Sequence, residues 1–156
     1  MALPADSHVH SEWSWDTGGP ASGAAGRMEQ TCERAIAIGL PTVIFTVHLD
    51  FDTAWRTTVE DLMPHQRHLL DPGGYLHPPE FDVAGYLDCI ERCRHRFPNL
   101  SILTRVEFGQ PHLFHDRAAQ LLDLAMLDRV NGSLHTLQIR DDRSEPNTFV
   151  SGLPIR

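Results

Sequence analysis

Two hydrophobic rhythms alternate along the chain. Short extended runs fall at residues 3–10, 42–48, 100–107 and 129–135, and between them apolar residues recur with helical spacing. Met28, Cys32, Ala35, Ile36 and Gly39 share one helical face, Val83, Tyr86, Leu87, Ile90 and Phe97 a second, and Ala118, Leu121, Leu122, Ala125 and Met126 a third. Strand followed by helix, repeated, predicts βα units around a parallel sheet, so the fold class read from the pattern is α/β. Gly39 and Pro41 end the first helix before the second strand begins. Residues 50–81 interrupt the rhythm with Pro64, Pro72, Pro78, Pro79 and the pair Gly73 and Gly74, which predicts an insertion of loops with one short helix, placed where substrate contacts are often carried. Residues 18–26 read as a flexible Gly/Ala/Ser stretch. Residues 136–156, polar and broken by Pro146, Gly152 and Pro154, read as a loop-like tail.

Composition narrows the function classes. A chain of 156 residues that is 41% hydrophobic fits one domain. A net charge of -8 lacks the basic stripe that nucleic acid or an anionic membrane would need, so the expected partner is a small molecule. No stretch approaches the ~20 apolar residues of a membrane span, and the first residues have no leader pattern; the expected location is the cytoplasm. Cys89 and Cys93 stand four apart rather than in a CxxC knuckle, and the three cysteines read as small, soft helix residues. All 13 basic residues are arginine. Without lysine there is no P-loop, no Schiff base and no lysine-bridged metal pair.

The candidate chemistry lies at the strand ends. Asp6, His8 and His10 alternate along the first strand, so all three project from one face and can converge on a metal. His48 ends the second predicted strand, Glu107 the third and His135 the fourth. Every strand thus delivers a metal-competent side chain at its C-terminal end, the side on which parallel α/β folds build active sites. Arg105 shares the face of Glu107 and is expected either to pair with that carboxylate or to approach a phosphate. His112 and His115 follow Glu107 at the same end, where a substrate or supporting role is open to them. His65, His68 and His77 are expected to be exposed loop residues, and His95, among Arg92, Arg94 and Arg96, to be solvated.

Four segments carry a resemblance: Asp-Ser-His-Val-His at 6–10, Phe-Thr-Val-His-Leu-Asp-Phe at 45–51, Arg-Val-Glu-Phe-Gly at 105–109, and Asp-Arg-Val-Asn-Gly-Ser-Leu-His at 128–135. In this order they resemble the PHP (polymerase and histidinol phosphatase) family, and within it the histidinol-phosphatase branch. The resemblance implies a distorted TIM-like (β/α)7 barrel, of which about four parallel strands and three helices would be present. It implies up to three divalent ions, Zn, Mn or Fe, and hydrolysis of a small-molecule phosphomonoester. Carried over residue by residue, His8 and His10 would bind one ion, Glu107 would bridge two, and His48 and His135 would ligate others. Asp16 matches a further ligand position, and Glu107 and His135 would be the catalytic pair. Arg105 and His112 are the candidate substrate contacts.

This sequence departs from the family pattern in three places. Val47 stands where an acidic residue usually precedes the histidine, and Arg105 where a small residue is usual. The family's later ligands would lie beyond residue 156, and such a barrel takes on the order of 250 residues. The reading is therefore a single PHP-type domain over 1–156 that is incomplete on its C-terminal side, with an open sheet edge suited to homo-oligomerisation. The leading function is L-histidinol phosphate hydrolysis, as in histidine biosynthesis. One alternative is an inactive or shortened remnant that binds metal or a partner. The other is an amidohydrolase-type metal hydrolase, which the absence of lysine disfavours.

Overall fold

The computed structural model describes residues 3–22, 26–125 and 127–146. Four parallel strands, β1 (Asp6–His10), β2 (Thr42–Leu49), β3 (Ser101–Gly109) and β4 (Arg129–Ser133), form one sheet in the order β1-β2-β3-β4. Helices α1 (Met28–Ile38), α2 (Val83–Arg96) and α3 (Pro111–Ala125) connect them. The α/β class and the four parallel strands expected from the pattern are present. The sheet made by the described residues is open, with β1 and β4 at its edges.

Alternation along the strands sorts the two faces. Val43, Phe45, Val47 and Leu49 of β2 and Ile102, Val106 and Phe108 of β3 pack into the main core under the helices. Thr46 and His48, and Arg105 and Glu107, project from the opposite face. Helix α1 presents Met28, Cys32 and Ala35 to that core, and Gly39 at φ 79° closes it in the left-handed conformation that glycine adopts without strain. Ile36, expected on the buried face, is exposed instead, because the helix turns it away from the sheet. Helix α2 buries Tyr86, Cys89, Ile90 and Cys93. The three cysteines are free thiols in this core. Asp82 caps α2 by accepting from Gly85 N at 2.9 Å. Tyr86, fully buried, donates its hydroxyl to Phe45 O at 2.8 Å and so pins α2 to β2. Ala118, Leu121 and Leu122 of α3 reach the core as expected. The side chain of Ala125 and all of Met126 lie outside the described residues.

Two expectations are corrected. The loop-like tail is, over its described part, an antiparallel hairpin of β5 (Thr136–Arg140) and β6 (Arg143–Pro146); residues 147–156 lie outside the described residues. Alternation is hard to see in such short, charged strands, yet their backbones still pair. The insertion holds two 3-10 turns, Val59–Asp61 and Arg67–Leu69, rather than one short helix. It also has a small core of its own, with Leu62 and Leu76 packed on Trp15 and flanked by Trp55, Leu69 and Leu70. Backbone bonds from Arg56 N to Ser144 O and from Ser144 N to Ala54 O, each 2.7 Å, fasten the insertion to β6.

Candidate metal centre

The parallel register delivers the cluster. His10 pairs with Thr46, and His48 pairs with Glu107, so β1, β2 and β3 carry imidazole, imidazole and carboxylate at neighbouring positions on one face. His135 lies two residues beyond β4 rather than on it. The chain turns there because Thr136 Oγ1 donates to buried Asp52 Oδ2 at 2.6 Å and the Gln110 side chain meets the Thr136 backbone. That turn swings the His135 ring back over the strand ends.

Six side chains converge into three overlapping groups: His8, His10 and Glu107; His10, Asp16 and His48; and His48, Glu107 and His135. Within each group one ligand atom per residue lies within 4.8 Å of the others. His8 Nε2 is 2.8 Å from His10 Nε2 and 2.9 Å from Glu107 Oε2. His10 Nδ1 is 3.2 Å from Asp16 Oδ1, and Asp16 Oδ2 is 3.9 Å from His48 Nε2. His135 Nε2 is 3.0 Å from Glu107 Oε1. Two ligand atoms on one tetrahedral zinc, each ~2.0–2.1 Å from the ion, stand roughly 3.3 Å apart. The donor set therefore fits a cation, and mixed imidazole and carboxylate ligands suit Zn, Mn or Fe.

Electrostatics follow from packing carboxylates among imidazoles. Burial opposes charge on His10, but hydrogen bonds and the charges of Asp16 and Glu107 outweigh it and raise the His10 pKa to about 9. His135 is likewise raised to about 9, burial being outweighed by Asp50 and Glu107. Hydrogen bonds from His10 and His135 hold Glu107 well below the usual carboxylate range. Asp16 is also lowered, its burial being overcome by contacts with His10 and Ser14.

All six residues expected to ligate metal come together. Asp6 does not join them; its carboxylate accepts from the His8 backbone N. Arg105 does not pair with Glu107. Its guanidinium reaches across the sheet to donate to Ser7 O, and its Nε finds no partner, while the Glu107 oxygens face His8, His10 and His135 instead. His112 is exposed on the first turn of α3, and His115 faces Asp116; neither belongs to a ligand group. His65 is not a free loop residue. It and Gln66 Nε2 each meet Asp16 O at 2.8 Å, holding the loop that carries Asp16.

Sequence reasoning missed Asp50. Its side chain is fully buried beside the cluster, with Oδ1 2.6 Å from His135 Nδ1 and Oδ2 accepting from Trp15 Nε1 at 2.9 Å. His48 Nδ1 faces Oδ2 at 3.4 Å without the angle of a hydrogen bond. Burial would raise the Asp50 pKa, but these imidazoles lower it to about 2. The available signal was its position two residues after His48 at a strand end. Gly109 makes the room: a Cβ there would collide with Asp50 Oδ1 and stand 2.9 Å from His135 Nδ1. A cleft of about 260 Å³ borders His48 and Asp50, walled by Phe51, Pro78, Phe81 and Arg117.

No family model matches the sequence, and no curated protein matches it. Solved structures do. A histidinol phosphate phosphatase from Lactococcus lactis subsp. lactis Il1403, solved with zinc, L-histidinol and phosphate, superposes with a TM-score of 0.58 at 24% identity over 88% of this chain and 41% of that one. A Listeria monocytogenes protein described as a histidinol phosphatase gives 0.59 at 16% identity over 86% of this chain and 46% of that one. The chain spans less than half the length of either structure, and at these identities the likeness establishes a shared fold.

Proposed function

We propose that the chain is a metal-dependent phosphomonoesterase, taking L-histidinol phosphate and water to L-histidinol and phosphate. One observation carries the reading: six ligand side chains from four strand ends and one loop form a continuous strip in which Glu107 touches His8, His10 and His135. The shared fold with a phosphatase that holds zinc, L-histidinol and phosphate supports the substrate. His8, His10 and Glu107 would hold one cation, and His48 and His135 would complete a second around Glu107, with Asp16 reaching in beside His10 and His48.

Divalent cations, when bound, lower the pKa of water and offset charge on phosphoryl oxygens. The chain's own part is to keep Glu107 ionised, with one oxygen toward β1 and the other toward His135. His8, 40% exposed, stands at the solvent side of the strip. The test is phosphate release from L-histidinol phosphate by protein loaded with Zn or Mn. The expected result is turnover that chelator and Glu107→Gln abolish. Metal content well under one equivalent together with no phosphate release would overturn the proposal. A second reading, a metal-binding module without turnover, draws on the open sheet of the described residues. Stoichiometric metal with no release would select it, and a self-associating edge would then show as a dimer in sedimentation.

A further inference from the structure

We infer that Asp50 is a positioning residue that orients the metal-ligating His135 and fixes which of its nitrogens faces the cluster. The inference rests on the metal-centre reading above and assigns a role to a residue outside the ligand strip.

The geometry carries it. His135 lies between two carboxylates, Asp50 at Nδ1 (2.6 Å) and Glu107 at Nε2 (3.0 Å). They are not equivalent. The Asp50 side chain has no solvent exposure and is tied on its other oxygen to the Trp15 indole, whereas Glu107 faces the strip shared with His8 and His10. When a cation takes one imidazole nitrogen, the proton stays on the other. The buried, immobile acceptor keeps it, so Nδ1–H remains on Asp50 and the Nε2 lone pair points at the cluster. Asp50 Oδ2 faces His48 Nδ1 at 3.4 Å, and His48 turns its Nε2 toward Asp16. The His48 approach lacks hydrogen-bond geometry, so the hold of Asp50 falls on His135.

Gly109 and Trp15 make the arrangement specific. Any side chain at 109 would occupy the space of the Asp50–His135 contact. Trp15 Nε1 satisfies the second oxygen of Asp50, and the Trp15 ring packs against His48 at a tilt of 56° with centroids 5.7 Å apart. A carboxylate serving only to cap the β2 end would need neither.

The test uses the full chain and the near-isosteric Asp50→Asn, with zinc as the probe. Metal-free wild type should show a downfield, slowly exchanging imidazole N–H proton, assigned to His135 by ¹⁵N-histidine labelling, and Asp50→Asn should lose it. Zinc affinity, measured by competition with a chromophoric chelator, should fall about 10–100-fold, and the visible spectrum of the cobalt-loaded protein should shift. A purely structural Asp50 would lower the melting temperature and leave the cobalt spectrum unchanged; that result overturns the inference, as does zinc affinity within threefold of wild type. If Asp50→Asn does not fold, Trp15→Phe decides, since it deletes the donor to Oδ2 and should move the same N–H resonance and the cobalt spectrum. No movement in either overturns the inference. If wild type binds no zinc, the phosphatase reading fails separately, and the presence or absence of the protected His135 N–H decides the positioning role.

Discussion

Protons and cations compete for the same nitrogens in this cluster, and the competition has a size. His10 and His135 have pKa values of about 9 in the metal-free fold, their burial being outweighed by Asp16, Asp50 and Glu107. At pH 7 the rings are therefore largely protonated, and freeing one costs roughly 3 kcal/mol at about 1.36 kcal/mol per pH unit. Both histidines share Glu107, so the two protons are coupled, and the expected release on zinc binding at pH 7 is roughly one to two. Apparent zinc affinity should then rise about 10- to 100-fold per pH unit between roughly pH 7 and 8.5 and level off above about 9. Isothermal titration in pairs of buffers with different ionisation enthalpies measures the protons directly. Release of less than about 0.3 proton, or an affinity flat across that range, would refute the reasoning.

Metal-free stability should run the other way. The folded pKa of both histidines lies above the ordinary 6.5, so their contribution is complete below pH 6.5 and lost as pH rises through about 9; the melting temperature of chelator-treated protein should fall between those values, while that of zinc-saturated protein should not. Gly109→Ala forces a Cβ into Asp50 and should cost about 1–3 kcal/mol in chemical denaturation. Arg105→Ala should leave zinc affinity within threefold of wild type, because the guanidinium donates to Ser7 O and not to Glu107; a larger loss in chelator competition would reinstate an ionic contact. Tyr86→Phe removes the buried bond to Phe45 O and should cost about 1–2 kcal/mol with zinc stoichiometry unchanged.

The parallel sheet was legible because the apolar run of β2 and the 3.6 periodicity of α1 and α2 leave few alternatives, and strand ends follow once the strands are known. His8, His10, His48 and Glu107 could be grouped from that logic alone. Asp16 needed the family resemblance, since nothing local places residue 16 over β2; what holds it there is His65 and Gln66, almost fifty residues away. Asp50 read as the first residue of a loop, and only the third dimension shows it buried between two histidines. Arg105 misled for a similar reason. Sharing a face with Glu107 fixes direction but not reach, and its long side chain found a backbone carbonyl on β1 instead. The β5–β6 hairpin was hidden by its polar sequence.

The hold of His65 and Gln66 on Asp16 O has a kinetic consequence. The ligand strip is anchored in two units of unequal size: His8, His10, His48 and Glu107 belong to the main sheet, while the loop carrying Asp16 leans on an insertion whose own core is essentially Trp15, Leu62 and Leu76. Small cores open locally at lower free energy than the sheet they flank. An opening of the insertion releases Asp16 and leaves His8, His10 and Glu107 assembled. With cations bound, the two ends of one strip would therefore lose them on different clocks, the Asp16 end at the opening rate of the insertion and the β1 end at its own slower dissociation.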